Sequence, residues 1–133
     1  MSSNELYSLC SSSTLTSAKL TEIPTREPKL GEETDEDGYP ALTYLCQNDN
    51  VTLEMIDLYL KHAPGAAEVV DKDGDTALRS LCQNDNVTLE MIELYLKHAP
   101  RAAELVNKHG STAIYYLCKN NKKIFLHYIE KIF

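Results

Sequence analysis

Residues 35–70 and 71–106 are near copies of one another. Aligned without a gap they differ only at 36, 39, 40, 43, 44, 57, 65 and 69, which leaves 28 of 36 positions identical. A third, looser copy begins at Asn107 and runs to the end of the chain. A fixed period of this length is the signature of stacked units, each too small to bury its own apolar face and dependent on its neighbours. The period constrains the fold more than any single motif. Three units in file, 35–70, 71–106 and 107–133, are expected.

The elements within a unit can be placed from the second copy. Gly74 marks a tight turn in which φ is positive. Thr76 then caps a short helix over 77–83, with Leu78, Leu81 and Cys82 facing inward. The run Gln83 to Asn86 is a loop by composition. Thr88 caps a second helix over 89–98, with Glu90 and Glu93 toward its positive end and Lys97 and His98 toward its negative end. Met91, Ile92, Tyr95, Leu96 and Ala99 give this helix its apolar side, and Pro100 stops it. A ten-residue helix is only about 15 Å long and marginal alone, so packing between units must hold it.

The stretch "DKDGDTAL" (71–78) has the alternating carboxylates of a calcium loop. The spacing is wrong for one: such a loop needs Gly at its sixth position and Glu at its twelfth, where this chain has Thr76 and Cys82. In the neighbouring copies the stretch reads "DEDGYPAL" and "NKHGSTAI", so the glycine persists while the carboxylates fade. The stretch reads as a turn, and no metal or other cofactor is expected.

Turn, short helix, loop, longer helix and a return of about a dozen residues form a pattern that resembles the ankyrin repeat family. The family's turn and first helix have the form D-x-x-G-x-T-P-L-H-x-A-A; here Asp71, Gly74, Thr76 and Leu78 match, while Ala77, Arg79, Leu81 and Cys82 depart from it. The resemblance covers 35–133. It implies an all-α, short ankyrin-type helix–turn–helix solenoid of two full repeats and a truncated third, with partners bound on the concave face. Residues 1–34, rich in Ser, Thr and Glu with few large apolar residues, are expected to precede it as a disordered polar tail.

Composition narrows function by exclusion. A net charge of −7 argues against general affinity for nucleic acid or anionic membrane. There is no apolar run of about 18 residues and no basic, apolar N-terminal leader, so a cytoplasmic location is expected. Cys46, Cys82 and Cys118 lie 36 apart and read as small buried hydrophobes, with Cys10 alone in the tail. The Cys and His that recur in each unit lack an orienting third group, so no enzyme is expected. Both "NVT" sequons read as helix caps at Thr52 and Thr88.

Five of the eight differences between the copies, at 36, 39, 40, 43 and 44, fall on the turn tip and the start of the first helix. In the ankyrin-like arrangement these positions project toward a partner. The expected contact residues are Tyr39, Thr43, Tyr44, Lys72, Asp75, Arg79, Ser80, Ser111, Tyr115 and Tyr116, among which tyrosine and arginine are the types enriched at binding hot spots. Charge is polarised: −6 over 35–70, −3 over 71–106 and +4 over 107–133. The expected function is a non-catalytic protein-interaction module whose partner is another protein, with no nucleic acid and no membrane. The alternative is a self-associating scaffold subunit that uses residues 124–133, where Ile124, Phe125, Tyr128, Ile129 and Ile132 form an apolar stripe.

Overall fold

The computed structural model describes residues 2–21 and 28–132, and among these the chain is all-helical, with eight α-helices and no strand. The helices are α1 (Ser3–Ser11), α2 (Ser17–Leu20), α3 (Ala41–Gln47), α4 (Leu53–His62), α5 (Ala77–Gln83), α6 (Leu89–His98), α7 (Ala113–Asn120) and α8 (Lys122–Ile132). Short 3-10 turns at Pro64–Glu68 and Pro100–Ala103 follow α4 and α6, and a third occupies Pro28–Glu32. Two rows form. The first helices pack in the order α1, α3, α5, α7, and the second helices in the order α2, α4, α6, α8.

Local chemistry sets the boundaries where the sequence places them. Thr52 and Thr88 each accept the amide of the third helical residue, at 3.2 Å from Met55 and from Met91. Thr76 caps α5 by accepting from Leu78, at 3.3 Å. Gly38, Gly74 and Gly110 share one backbone setting, with φ of 84°, 87° and 77°. Around each glycine the same side-chain oxygen closes the turn. Asp71 Oδ1 accepts from the amides of Asp73 and Asp75 at 2.8 and 3.1 Å, and Asn107 Oδ1 does the same for His109 and Ser111. An amide oxygen serves as well as a carboxylate, which is why the charge can vanish while the turn persists.

The core is a file of stacked apolar layers. Leu42, Leu45, Cys46, Ile56 and Tyr59 of one unit are buried beside Leu78, Leu81, Cys82, Ile92 and Tyr95 of the next. Each well-buried Leu or Ile contributes roughly 2 kcal/mol. Polar bonds stitch the layers. Asn84 Nδ2 donates to the carbonyls of Cys46 and Asn48, both at 2.9 Å, and Tyr95 Oη donates to the Ala67 carbonyl at 2.8 Å.

The expected disordered tail is a correction. Residues 2–21 fold as α1 and α2, and 28–32 as a 3-10 turn, all packed on the body; residues 22–27 of that expectation lie outside the described residues. The reason is spacing. Leu6, Cys10, Leu15, Leu20 and Leu30 are few, yet each stands 36 residues before a core position: Leu42, Cys46, Val51, Ile56 and Ala66. Asn48 Nδ2 reaches the carbonyls of Cys10 and Ser12, both at 2.8 Å, and Tyr59 Oη reaches that of Gly31 at 2.7 Å, repeating the bonds of Asn84 and Tyr95 one unit earlier. A capping box between Ser2 and Glu5 starts α1. Cys10 is therefore not alone but the first of a buried column with Cys46 and Cys82.

The last unit also differs from its copies. Asn121, whose side chain accepts from Ile124 at 3.2 Å, opens α8 only 33 residues after Thr88 opens α6, so the second helix starts three residues early and a single residue joins the pair. Ile124, Phe125 and Tyr128 rest half-buried against the core.

Candidate functional site

The turn tips and first helices enclose a narrow polar groove of about 160 Å³. Tyr39, Thr43, Asp75, Arg79 and Ser80, all expected contact residues, line it together. Gln47 and Gln83, the exposed last residues of α3 and α5, also line it. They are identical in the two copies, so a comparison of differences passes over them. Thr43 and Asp75 are buried, the latter only 6 % exposed, and supply floor instead of contact surface.

Several expected contact residues are already engaged within the chain. Arg79 Nη1 donates to Asp75 Oδ2 at 2.6 Å. The other oxygen of Asp75 accepts from Asn107 Nδ2 at 3.1 Å, and the same amide reaches Tyr116 Oη at 2.9 Å. The Arg79 guanidinium lies 4.5 Å from the centre of the Tyr116 ring. These four side chains close a ring of interactions across the junction of the second and third units, a geometry that suits the planar guanidinium. Desolvation works against the Arg79 charge, but the Asp75 carboxylate outweighs it and holds the guanidinium pKa up. Arg79 Nε, a buried nitrogen, has no hydrogen-bond partner among the described residues.

Within the first unit, Asp35 and Tyr44 stand 72 residues before Asn107 and Tyr116 and are bonded likewise. The Tyr44 hydroxyl donates to Asp35 Oδ2, and this bond, reinforced by desolvation, raises the phenol far above its ordinary value. Desolvation pushes the Asp35 carboxyl up, yet the Tyr44 hydroxyl and the amides of Tyr39 and Asp37 together hold it below its ordinary range. In the central unit Ser80 stands in the place of Tyr44, and the pair seen there is a different one, Arg79 with Asp75. Tyr7 extends this cluster, its ring 5.7 Å from that of Tyr44, with Tyr39 6.2 Å away on the other side. Position 7 stands 36 before Thr43, and that spacing is the one sequence signal that pointed to it.

The remaining expected residues are spread along the same side of the row. Tyr115, 49 % exposed, stacks edge-on against Tyr116 at 5.4 Å, and the Lys119 ammonium sits 5.8 Å from its ring. Lys72 is exposed on its turn, and Ser111 is half-buried where its amide closes the third turn.

The aspartates of "DKDGDTAL" diverge instead of converging: Asp71 closes the turn, Asp75 binds Arg79, and Asp73 pairs with Lys108 at 2.6 Å. Among the described residues no group of three or more His, Cys, Asp or Glu is arranged to hold a metal ion, and no helix is long and apolar enough to cross a membrane. Of the recurrent thiols Cys46 and Cys82 are buried, whereas Cys118, expected to be buried, is only half-buried because no further unit among the described residues covers it. Burial pushes Cys82 up to about 12, so it holds almost no thiolate at neutral pH. His98 Nδ1 sits 3.1 Å from the Leu94 carbonyl at the end of α6, a helix-terminal position. No protein-family model matches the chain, and no curated protein matches it.

Proposed function

We propose that the chain is an ankyrin-type repeat solenoid that acts without catalysis, binding a partner protein in the groove between its turn tips and first helices. One observation carries the reading. The side chains that distinguish two otherwise near-identical units, Tyr39, Thr43, Asp75, Arg79 and Ser80, gather around a single groove. Repeats with 28 identical positions keep what packing needs, and the positions free to differ cluster where a ligand would read them. Gln47 and Gln83 offer amides suited to the main chain of an extended peptide, and Tyr39 and Tyr115 offer rigid aromatic surface.

The interlocked Arg79, Asp75 and Tyr44 hold the groove in shape; the contacting residues are Tyr39, Gln47, Gln83 and Tyr115. Affinity capture from a cell extract, quantified for the wild type and for Tyr39→Ala/Gln83→Ala, tests this. The double variant should melt within a few degrees of the wild type and lose most of the captured protein. Equal recovery at equal folding overturns the assignment. The partner is expected inside the cell and carries a basic segment toward the acidic first unit, so its association should slow with added salt.

A further inference from the structure

A second groove, of about 600 Å³, lies on the opposite row of helices, between α4 and α6. Leu53, 41 % exposed, and Leu94 make it apolar, while Glu54, Asp57, Glu90 and Glu93 line its walls and Lys97 stands one turn further along. Two of the carboxylates have local partners, Asp57 with Lys61 at 2.8 Å and Glu93 with Lys131 at 2.9 Å. Glu54 and Glu90 make no ion pair among the described residues.

Helix α8 presents the complementary pattern. Lys122 and Lys123 lie four and three residues before Leu126, so all three share one face. Leu126 is 56 % exposed, and Glu130 follows one turn later on the same side. The chemistry already operates within the chain, where Lys131 of α8 crosses to Glu93 of α6. The charge of the units matches as well, −9 over 35–106 against +4 over 107–133.

We propose that α8 of one copy seats in the α4/α6 groove of a second copy. Leu126 enters between Leu53 and Leu94, Lys122 and Lys123 meet Glu54 and Glu90, and a parallel arrangement brings Glu130 to Lys97. Donor and acceptor are different surfaces of one chain, so the contact is head-to-tail. It is independent of the partner groove on the first-helix row.

Sedimentation equilibrium at low salt, from about 10 µM to about 1 mM, spans the range of a weak contact of this kind. The wild type should rise above its 15.0 kDa monomer mass and return to it at high salt. Glu54→Lys/Glu90→Lys and Lys122→Glu/Lys123→Glu should each weaken association at least tenfold, and mixing the two should restore it. Leu126→Ala, a change on an exposed side chain, should weaken it as well and serves if a charge reversal disturbs folding. Tyr39→Ala/Gln83→Ala should leave it unchanged, which separates this contact from the partner groove. A wild type that stays at 15.0 kDa throughout overturns the proposal. So does a groove variant that associates like the wild type, as an α8-to-α8 contact would, or a mixture that stays monomeric.

Discussion

Set beside the central units, the N-terminal segment makes the same contacts from a very different composition. Units 35–70 and 71–106 share 28 positions, whereas residues 3–34 share with 39–70 only scattered matches such as Leu6, Leu9, Cys10, Thr16, Pro28 and Glu32. Yet the asparagine bonds into the previous unit and the tyrosine bond to a carbonyl recur at both junctions. A unit of this kind needs roughly five apolar side chains at the correct spacing and carbonyls for its neighbour to bind. Most of its other described residues, polar and serine-rich here, are exposed and free to drift. Composition over a window therefore says less about order than the spacing of a few residues.

The sharpest way to break the comparison is to remove residues 2–34. A tail would leave urea unfolding of the remainder unchanged. A folded unit whose Leu6, Leu15 and Leu20 are buried should cost on the order of 5 kcal/mol, with a lower denaturant slope from the smaller buried surface. Asn48→Ala and Asn84→Ala probe the junctions one at a time. Each leaves two backbone carbonyls without the bonds seen here, so each should cost about 2 kcal/mol, and the two values should agree within about 1 kcal/mol if the junctions are equivalent. A much smaller loss for Asn48→Ala would separate the N-terminal unit from the central ones.

Gly74→Ala and Gly110→Ala should differ in a smaller way. Both sit at positive φ and incur about 1 kcal/mol of backbone strain. A Cβ at Gly74 would also stand 3.1 Å from the Asn107 Cα, while at Gly110 it meets nothing within 4 Å, so thermal melts should place the Gly74 variant lower. The smallest expected effect belongs to Asp35→Asn, which keeps the turn geometry that Asn107 supports but removes the charge that Tyr44 binds. Because the folded carboxyl is held below its ordinary value of 3.8, its contribution is present above about pH 4 and fades as the pH falls through the folded value. The wild type should therefore lead the variant by a few tenths of a kcal/mol near neutrality, and the gap should close in acid melts.

Helices α4 to α6 were legible to the residue because Thr52, Thr76 and Thr88 mark their caps and Pro64 and Pro100 the stops; α3 starts after Pro40 with no side-chain cap and is legible through its likeness to α5. The N-terminal unit was not, since Ser and Thr outnumber its core residues and only scattered steps of 36, such as Leu6 to Leu42 and Cys10 to Cys46, betray it. The groove was half legible. Differences between copies pointed to Tyr39 and Arg79, but the ring joining Arg79, Asp75, Asn107 and Tyr116 depends on which rotamers meet across a junction, which no one-dimensional pattern records. Gln47 and Gln83 escaped for the opposite reason, being the same in both copies.

Asn48 and Asn84 reach back to main-chain carbonyls, so neither demands a particular side chain from whatever precedes it. These two junctions thus share a generic socket. Splicing an additional 36-residue segment between 70 and 71 should lengthen the molecule through the same carbonyl bonds, and tandem duplication of a gene segment would be accepted on arrival.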